Sequence, residues 1–248
     1  MKKNSNKQFI IIKNFINKID CKKIINEIDR FKKYDDLVMN GRKRINKGSE
    51  NFKNFMHISK TSLNFYKKIN NLQFYNKIKS NILIQNKNQL WKNEIKNLRF
   101  SKTVCGSQKG KKITKNKTDL KKNILYLDLD FSVSEKGYFR GPHRDRDNRI
   151  VNFLIYLNEL KKVDGGILHF YKTRKKNYYT YPRFPKINDV TISNKITSRR
   201  GTGIFFLSTP DSYHSVSKFY GKVNKKRYFI YGSFSLNKTF KWISHRTI

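Results

Sequence analysis

His143 and Asp145 stand two residues apart in GYFRGPHRDRDNRIVNFLIYLN, Gly137 to Asn158, just ahead of a run with the composition of a buried strand. In an extended chain residues i and i+2 point to the same face, so an imidazole and a carboxylate at this spacing can converge on one metal ion. A third ligand must come from elsewhere, and His214, on a later strand-like run, is the candidate. Two histidines and one carboxylate on one face of an octahedral ion leave positions open for a substrate and dioxygen, a ligand set suited to non-haem Fe(II) chemistry. His-x-Asp is short enough to arise by chance. Its setting gives it weight: the turn residues Gly141 and Pro142 precede it, and Ile150, Val151, Phe153, Leu154, Ile155 and Tyr156 follow. The other histidines lack such a setting. His57 has no partner at ligand spacing, His169 has only Tyr171 at i+2, and His245 sits near the chain end; all three are read as structural or surface residues.

The elements that must position these residues follow from the hydrophobic pattern. Gln8 to Ile16 reads as a strand. Asp20 reads as an N-cap, after which Ile24, Ile25, Ile28 and Phe31 recur with helical spacing. Tyr34 to Phe55, polar and with Gly41 and Gly48, reads as loop, and Leu63, Tyr66, Ile69, Leu72, Tyr75 and Ile78 mark one or two further helices. From about Glu94 the period becomes strand-like, with runs at Leu98 to Val104 and Ile124 to Phe131. In the second, Leu125, Leu127 and Leu129 share one face and Tyr126, Asp128 and Asp130 the other. A basic segment, 107–122, reads as a solvated insertion. Asp164-Gly165-Gly166 turns into a strand at Ile167 to Tyr171, an aromatic and basic connection follows from Thr173 to Lys186, and Gly201-Thr202-Gly203 leads into IFFLS. Tyr213 to Val216 and Arg227 to Leu236 complete the series. Many short strands separated by turns predict a barrel or jelly roll.

At 248 residues and 29.7 kDa the chain can bury one sizeable core, so 1–248 is expected to be a single domain, with a helical support region over 1–93 and a strand-rich core over 94–240. The net charge of +39, from 56 Lys and Arg against 17 Asp and Glu, by itself suggests a polyanionic partner such as nucleic acid or an anionic membrane. The lysines, however, are spread along the chain and accompany heavy use of Asn and Ile, as an A+T-rich coding sequence would produce. Nucleic acid is therefore not the favoured partner. Cys21 and Cys105 form no CxxC pair, which argues against a disulfide framework or a zinc ribbon. No stretch approaches the ~20 apolar residues of a membrane span, and Phe9 to Ile12 is too short for a signal peptide. The expectation is a soluble, cytoplasmic protein.

Roughly residues 95–240 resemble the iron- and 2-oxoglutarate-dependent dioxygenases, in particular the prolyl-4-hydroxylase-like branch. The likeness is carried by GYFRGPHRDRDNRIVNFLIYLN, DGGILHFY, GTGIFFLSTPDSYHSVS and KRYFIYGSF, in that order. The resemblance implies an α+β, mainly β fold: a double-stranded β-helix, or jelly roll, with N-terminal helices packed on the major sheet. It makes His143, Asp145 and His214 the Fe(II) ligands and gives Arg227 the distal carboxylate of 2-oxoglutarate, with Tyr156 sharing it. A planar guanidinium suits a carboxylate, but Lys225 and Lys226 also follow His214 and stay open as alternatives. Arg227 is preferred because it begins a strand whose same-face residues Phe229, Tyr231 and Ser233 would line the barrel. Phe153, Phe205, Phe206 and Phe229 are the expected aromatic lining. The implied cofactors are Fe(II), 2-oxoglutarate and O2, and the implied reaction is hydroxylation of a protein side chain or small metabolite, in keeping with the charge an anionic one, with release of succinate and CO2. The nucleic-acid demethylase branch usually carries a second arginine six residues after the first, where this chain has Ser233. A cupin-like metal protein without redox chemistry and a basic nucleic-acid-binding module are the alternative readings.

Overall fold

The computed structural model describes residues 9–38, 41–85, 89–102, 123–174, 182–221, 225–237 and 240. Twelve strands occur among them: β1 Phe9–Ile12, β2 Asp36–Val38, β3 Arg42–Asn46, β4 Arg99–Phe100, β5 Ile124–Ser134, β6 Arg140–His143, β7 Arg149–Tyr156, β8 Leu168–Thr173, β9 Val190–Ile196, β10 Gly203–Leu207, β11 His214–Val216 and β12 Arg227–Leu236. Five helices precede β4: α1 Lys18–Phe31, α2 Glu50–Ile58, α3 Lys60–Ile69, α4 Leu72–Gln85 and α5 Gln89–Lys96. The larger sheet has eight strands in the order β1-β10-β7-β12-β5-β3-β2, with β4 parallel to β5 and every other pairing antiparallel. The smaller sheet runs β6-β11-β8-β9, also antiparallel. Two mostly antiparallel sheets with a few helices are consistent with a jelly roll.

Period-two alternation assigns each long strand's side chains to two different environments. Along β12, Tyr228, Ile230, Phe234 and Leu236 join a large apolar cluster that also holds Phe153, Phe205 and residues of the helices. There Phe55 of α2 lies 5.1 Å from Phe131 of β5 between ring centroids, and Phe74 of α4 lies 6.1 Å from Phe205. Gly232 keeps β12 close to this cluster, since a Cβ there would stand 2.3 Å from Cζ of Phe153. The alternate residues of the same strands, Leu154, Tyr156, Ile204, Phe206 and Phe229, pack with Leu168 and Phe170 of β8 in a second, smaller cluster between the sheets.

Several sequence-based expectations are corrected here. The cap of α1 is Asn17, whose side chain accepts a hydrogen bond from the Asp20 amide at 2.7 Å; Asp20 is the reciprocal partner one turn in. Residues 34–55 are not loop but contain β2, β3 and the start of α2. The charges of β3 disguise it, since Arg42 and Arg44 are paired with Asp130 at 2.6 and 3.9 Å. Gly141 and Pro142 lie within β6 rather than in a turn. Of the predicted run Leu98 to Val104, strand is present at Arg99–Phe100, and residues 103 and 104 fall outside the described residues. Strand β9 is absent from the sequence-based reading. Phe153 and Phe205 face the helix side instead of lining the interior. Segment 107–122, Cys105, most of the connection after Thr173 and His245 lie outside the described residues. Cys21 is buried, and burial pushes its thiol up to about 11. Among the described residues, no helix is long and apolar enough to cross a membrane.

Candidate metal and co-substrate site

Strands β6 and β11 are neighbours in the smaller sheet, and their register sets His143 directly opposite His214. The two rings are tilted by 51° to one another with centroids 4.4 Å apart. Asp145, two residues beyond His143, brings its Oδ2 to 3.5 Å from Nε2 of His214. One ligand atom from each of the three lies within 4.8 Å of the others, and all three residues are buried. Each imidazole is anchored through Nδ1, that of His143 to the Gly141 carbonyl at 2.8 Å and that of His214 to the Ser212 carbonyl at 3.2 Å. A carbonyl can only accept, so Nδ1 carries the proton and Nε2 keeps a free lone pair, as a metal-binding histidine requires.

The electrostatics agree with that role. Burial lowers the pKa of His143 to about 3 and lowers that of His214, so both rings are neutral at physiological pH. Burial works to raise the pKa of Asp145. Arg149, the two imidazoles and the hydrogen bond from Tyr231 outweigh it, holding the carboxyl well below the usual carboxylate range. Two neutral imidazoles and one carboxylate are the protonation states that bind a divalent ion.

A second polar group faces the same interior. Arg227 opens β12 wholly buried, yet among the described residues its three guanidinium nitrogens have no hydrogen-bond partner. Neither has the hydroxyl of buried Tyr156, whose ring centroid is 5.4 Å from Cζ of Arg227. Burial raises the Tyr156 pKa and outweighs the opposing pull of the Arg227 charge, so its hydroxyl is neutral and able to donate. Cζ of Arg227 also lies 4.1 Å from the centre of the Phe229 ring. Gly166 of the Gly-Gly turn leaves room for the arginine stem, because a Cβ there would come to 3.1 Å from Cδ of Arg227. An unpaired buried charge costs several kcal/mol, so this cradle is complementary to an anion such as a carboxylate. Lys225 and Lys226 instead reach acids of their own, Asp164 at 2.5 Å and Asp29 at 3.4 Å.

His169 is half-buried, its Nδ1 3.5 Å from Oγ of Ser215, and it stands outside the three-residue cluster. His57 is exposed. Of the expected lining, Phe206 lies 5.0 Å from the His214 ring and Phe229 lies against Arg227. Sequence reasoning missed the contacts of Tyr231 and Arg149 with Asp145. Arg149 is four residues from Asp145, but only the pairing of β12 with β7 brings Tyr231 to it.

Two neutral histidines and a carboxylate buried together between antiparallel sheets define a class of site, that of non-haem iron oxygenases. The family follows from comparison: residues 129–234, from β5 to β12, match the model of the 2OG-Fe(II) oxygenase superfamily. The chain thus carries a domain of that superfamily, a 2-oxoglutarate-dependent dioxygenase domain whose cofactors are Fe(II), 2-oxoglutarate and O2. Similar solved structures include a Pseudomonas putida prolyl-4-hydroxylase (16% identity, covering 93% of this chain and 94% of that one, TM-score 0.45). The viral collagen prolyl hydroxylase of Paramecium Bursaria Chlorella virus-1 is similar at 14% identity, with 94% and 97% covered and a TM-score of 0.46. A Trichoplax adhaerens prolyl hydroxylase, solved with a hypoxia inducible factor peptide fragment, is similar at 15% identity, with 98% and 87% covered and a TM-score of 0.47. At these identities and scores the likeness carries nothing about substrate. No curated protein matches the sequence.

Proposed function

We propose that the protein is a hydroxylase of the prolyl-4-hydroxylase-like branch, acting on a protein side chain or a small metabolite that carries negative charge. In this reading 1–248 is one unit, a double-stranded β-helix braced by N-terminal helices on its major sheet. His143, Asp145 and His214 hold Fe(II), and Arg227 holds the distal carboxylate of 2-oxoglutarate with help from the Tyr156 hydroxyl. The observation that carries it is a buried metal-type cluster sharing its interior with a buried guanidinium that lies against the Phe229 ring but has no hydrogen-bond partner among the described residues. Bound there, Fe(II), 2-oxoglutarate and dioxygen supply the oxidising chemistry, with succinate and carbon dioxide released. The chain's own part is to fix the ligands, orient the co-substrate through Arg227, and exclude water with Phe206, Phe229 and Phe170.

The anionic preference is supported by the surroundings of Asp145. Arg183 is exposed on the segment whose carbonyl binds the Arg144 amide at 2.9 Å, and its pKa is lowered by partial desolvation and the charge of Arg146, opposed by Asp145, and then by Arg140 and Arg149. Its Cζ and that of Arg140 stand 5.3 and 5.9 Å from the ring of Phe184, which is 59% exposed. Like charges gathered beside the site attract an anionic substrate and repel a cationic one. A cupin-like protein without redox chemistry would have no use for Arg227, and a nucleic-acid module none for the buried cluster. The test is 2-oxoglutarate turnover with Fe(II) and ascorbate across a panel of acidic, neutral and basic peptides and acidic metabolites, read as succinate. Succinate formation stimulated by acidic compounds is expected; stimulation by basic compounds alone would overturn the charge preference, and no Fe(II)-dependent succinate under any condition would overturn the hydroxylase reading.

A further inference from the structure

Asp145 is the single anionic member of the three-residue cluster, and its carboxylate is held from behind by Tyr231 and Arg149. The hydroxyl of Tyr231 donates to Oδ2 at 2.7 Å, and Nη1 of Arg149 lies 3.4 Å from Oδ1. The same Nη1 donates to the Tyr231 hydroxyl, which therefore accepts from the arginine while donating its own hydrogen bond to the carboxylate. Nη2 of Arg149 lies 3.4 Å from Oδ2 of Asp128 on β5, so the guanidinium is fixed at both ends. Two cations lie over the Tyr231 ring, with Cζ of Arg149 4.9 Å and Cζ of Arg42 5.3 Å from its centre. Arg42 is in turn held by Asp130 at 2.6 Å. Side chains from β3, β5, β7 and β12 thus converge behind one carboxylate.

We infer that Tyr231 and Arg149 are positioning residues that set the orientation of the Asp145 carboxylate toward the metal. Oδ2, the oxygen that Tyr231 engages, is also the one 3.5 Å from Nε2 of His214 and so faces the imidazoles. A carboxylate oxygen has two lone pairs; one taken by Tyr231 leaves the other for the ion. With Oδ1 turned to Arg149, the carboxylate presents one oxygen and not both, which keeps coordination positions open for the co-substrate. Hydrogen-bonding partners that orient a metal ligand typically change metal affinity by about 10–100-fold when removed. Arg149 contributes a fork that reaches Asp145, Tyr231 and Asp128 together, a geometry that lysine cannot reproduce.

The inference rests on Asp145 being a metal ligand, and the experiment separates the two claims. Mn(II) binding is titrated by the loss of the free-ion electron paramagnetic resonance signal in wild type, Asp145→Ala, Tyr231→Phe and Arg149→Lys. Affinity for the inert co-substrate analogue N-oxalylglycine is measured alongside at saturating Mn(II). Wild type should bind one Mn(II) and Asp145→Ala should lose that binding. Tyr231→Phe should bind Mn(II) about tenfold more weakly, with Arg149→Lys shifted in the same direction and N-oxalylglycine affinity unchanged in both. Wild-type Mn(II) affinity in both variants, or a matching loss of analogue affinity, overturns the positioning role while leaving the ligand assignment standing. Retention of Mn(II) by Asp145→Ala, or no binding by wild type, overturns the ligand assignment and this inference with it. Should Tyr231→Phe fail to fold, Arg149→Lys decides on the same criteria.

Discussion

The two faces of β12 and β7 differ in what they leave unfinished. On the helix side, Ile230, Phe234, Phe153 and Ile155 are fully buried against other apolar groups, with Phe234 5.0 Å from Tyr75 and 6.2 Å from Phe74. On the opposite face of the same strands, one residue along, stand Arg227 and Tyr156 with polar atoms that find no hydrogen-bond partner among the described residues. A face that serves only stability satisfies its groups within the chain. A face that carries buried polar groups without partners bears a cost, which a ligand bearing the complementary chemistry offsets.

That contrast can be broken at either face. The largest effect is expected for Asp145→Ala, which removes the only anionic group of the cluster. Turnover of 2-oxoglutarate to succinate should fall to background while the melting temperature holds or rises; succinate formation at the parental rate would contradict the assignment. Next comes the helix side. Phe234→Ala should destabilise the fold by about 3–5 kcal/mol in denaturant titration, with Mn(II) affinity of the folded fraction unchanged. Arg227→Met tests the interior face with the opposite signature. Loss of a charged hydrogen-bonded pair worth about 1.5–3 kcal/mol should weaken 2-oxoglutarate about 10–100-fold, with stability equal to or above that of wild type because an unpaired buried charge is gone. A drop in stability comparable to that of Phe234→Ala would mean that Arg227 is structural. The smallest effect belongs to Tyr156→Phe, whose single neutral hydrogen bond is worth about 0.5–1.5 kcal/mol and whose loss should raise the 2-oxoglutarate KM up to about tenfold without altering Mn(II) affinity.

The same two faces explain what can be read from the sequence. The alternation in ILYLDLDF identifies β5 correctly, because its leucines face an apolar core and the rule for half-buried strands holds there. His143, Asp145 and His214 can be singled out because ligand chemistry restricts residue type, and the first two are close in sequence. The strand RKRIN cannot, since its arginines are balanced by Asp130, 88 residues away for Arg42, and local pattern carries no trace of that pairing. Pro142 lies in β6, a strand at the edge of its sheet, where the missing amide is tolerated; the Gly-Pro pair therefore looks like a turn. Phe153 and Phe205 fall on the face opposite to the expected one because a nearly continuous apolar run, such as IVNFLIY, does not reveal which side meets helices and which meets the other sheet. Alternation along β12 puts Tyr231 on the correct face, but its bond to Asp145 depends on three-dimensional register alone.

The most direct test of the account is an anaerobic absorbance titration in which Fe(II) and 2-oxoglutarate are added to the wild-type protein and to His214→Ala. The account predicts a visible charge-transfer band that requires both additions, saturates at one iron per chain, and is absent from the variant. A wild-type protein that develops no band at saturating iron and 2-oxoglutarate, or a band of equal strength in His214→Ala, would contradict it.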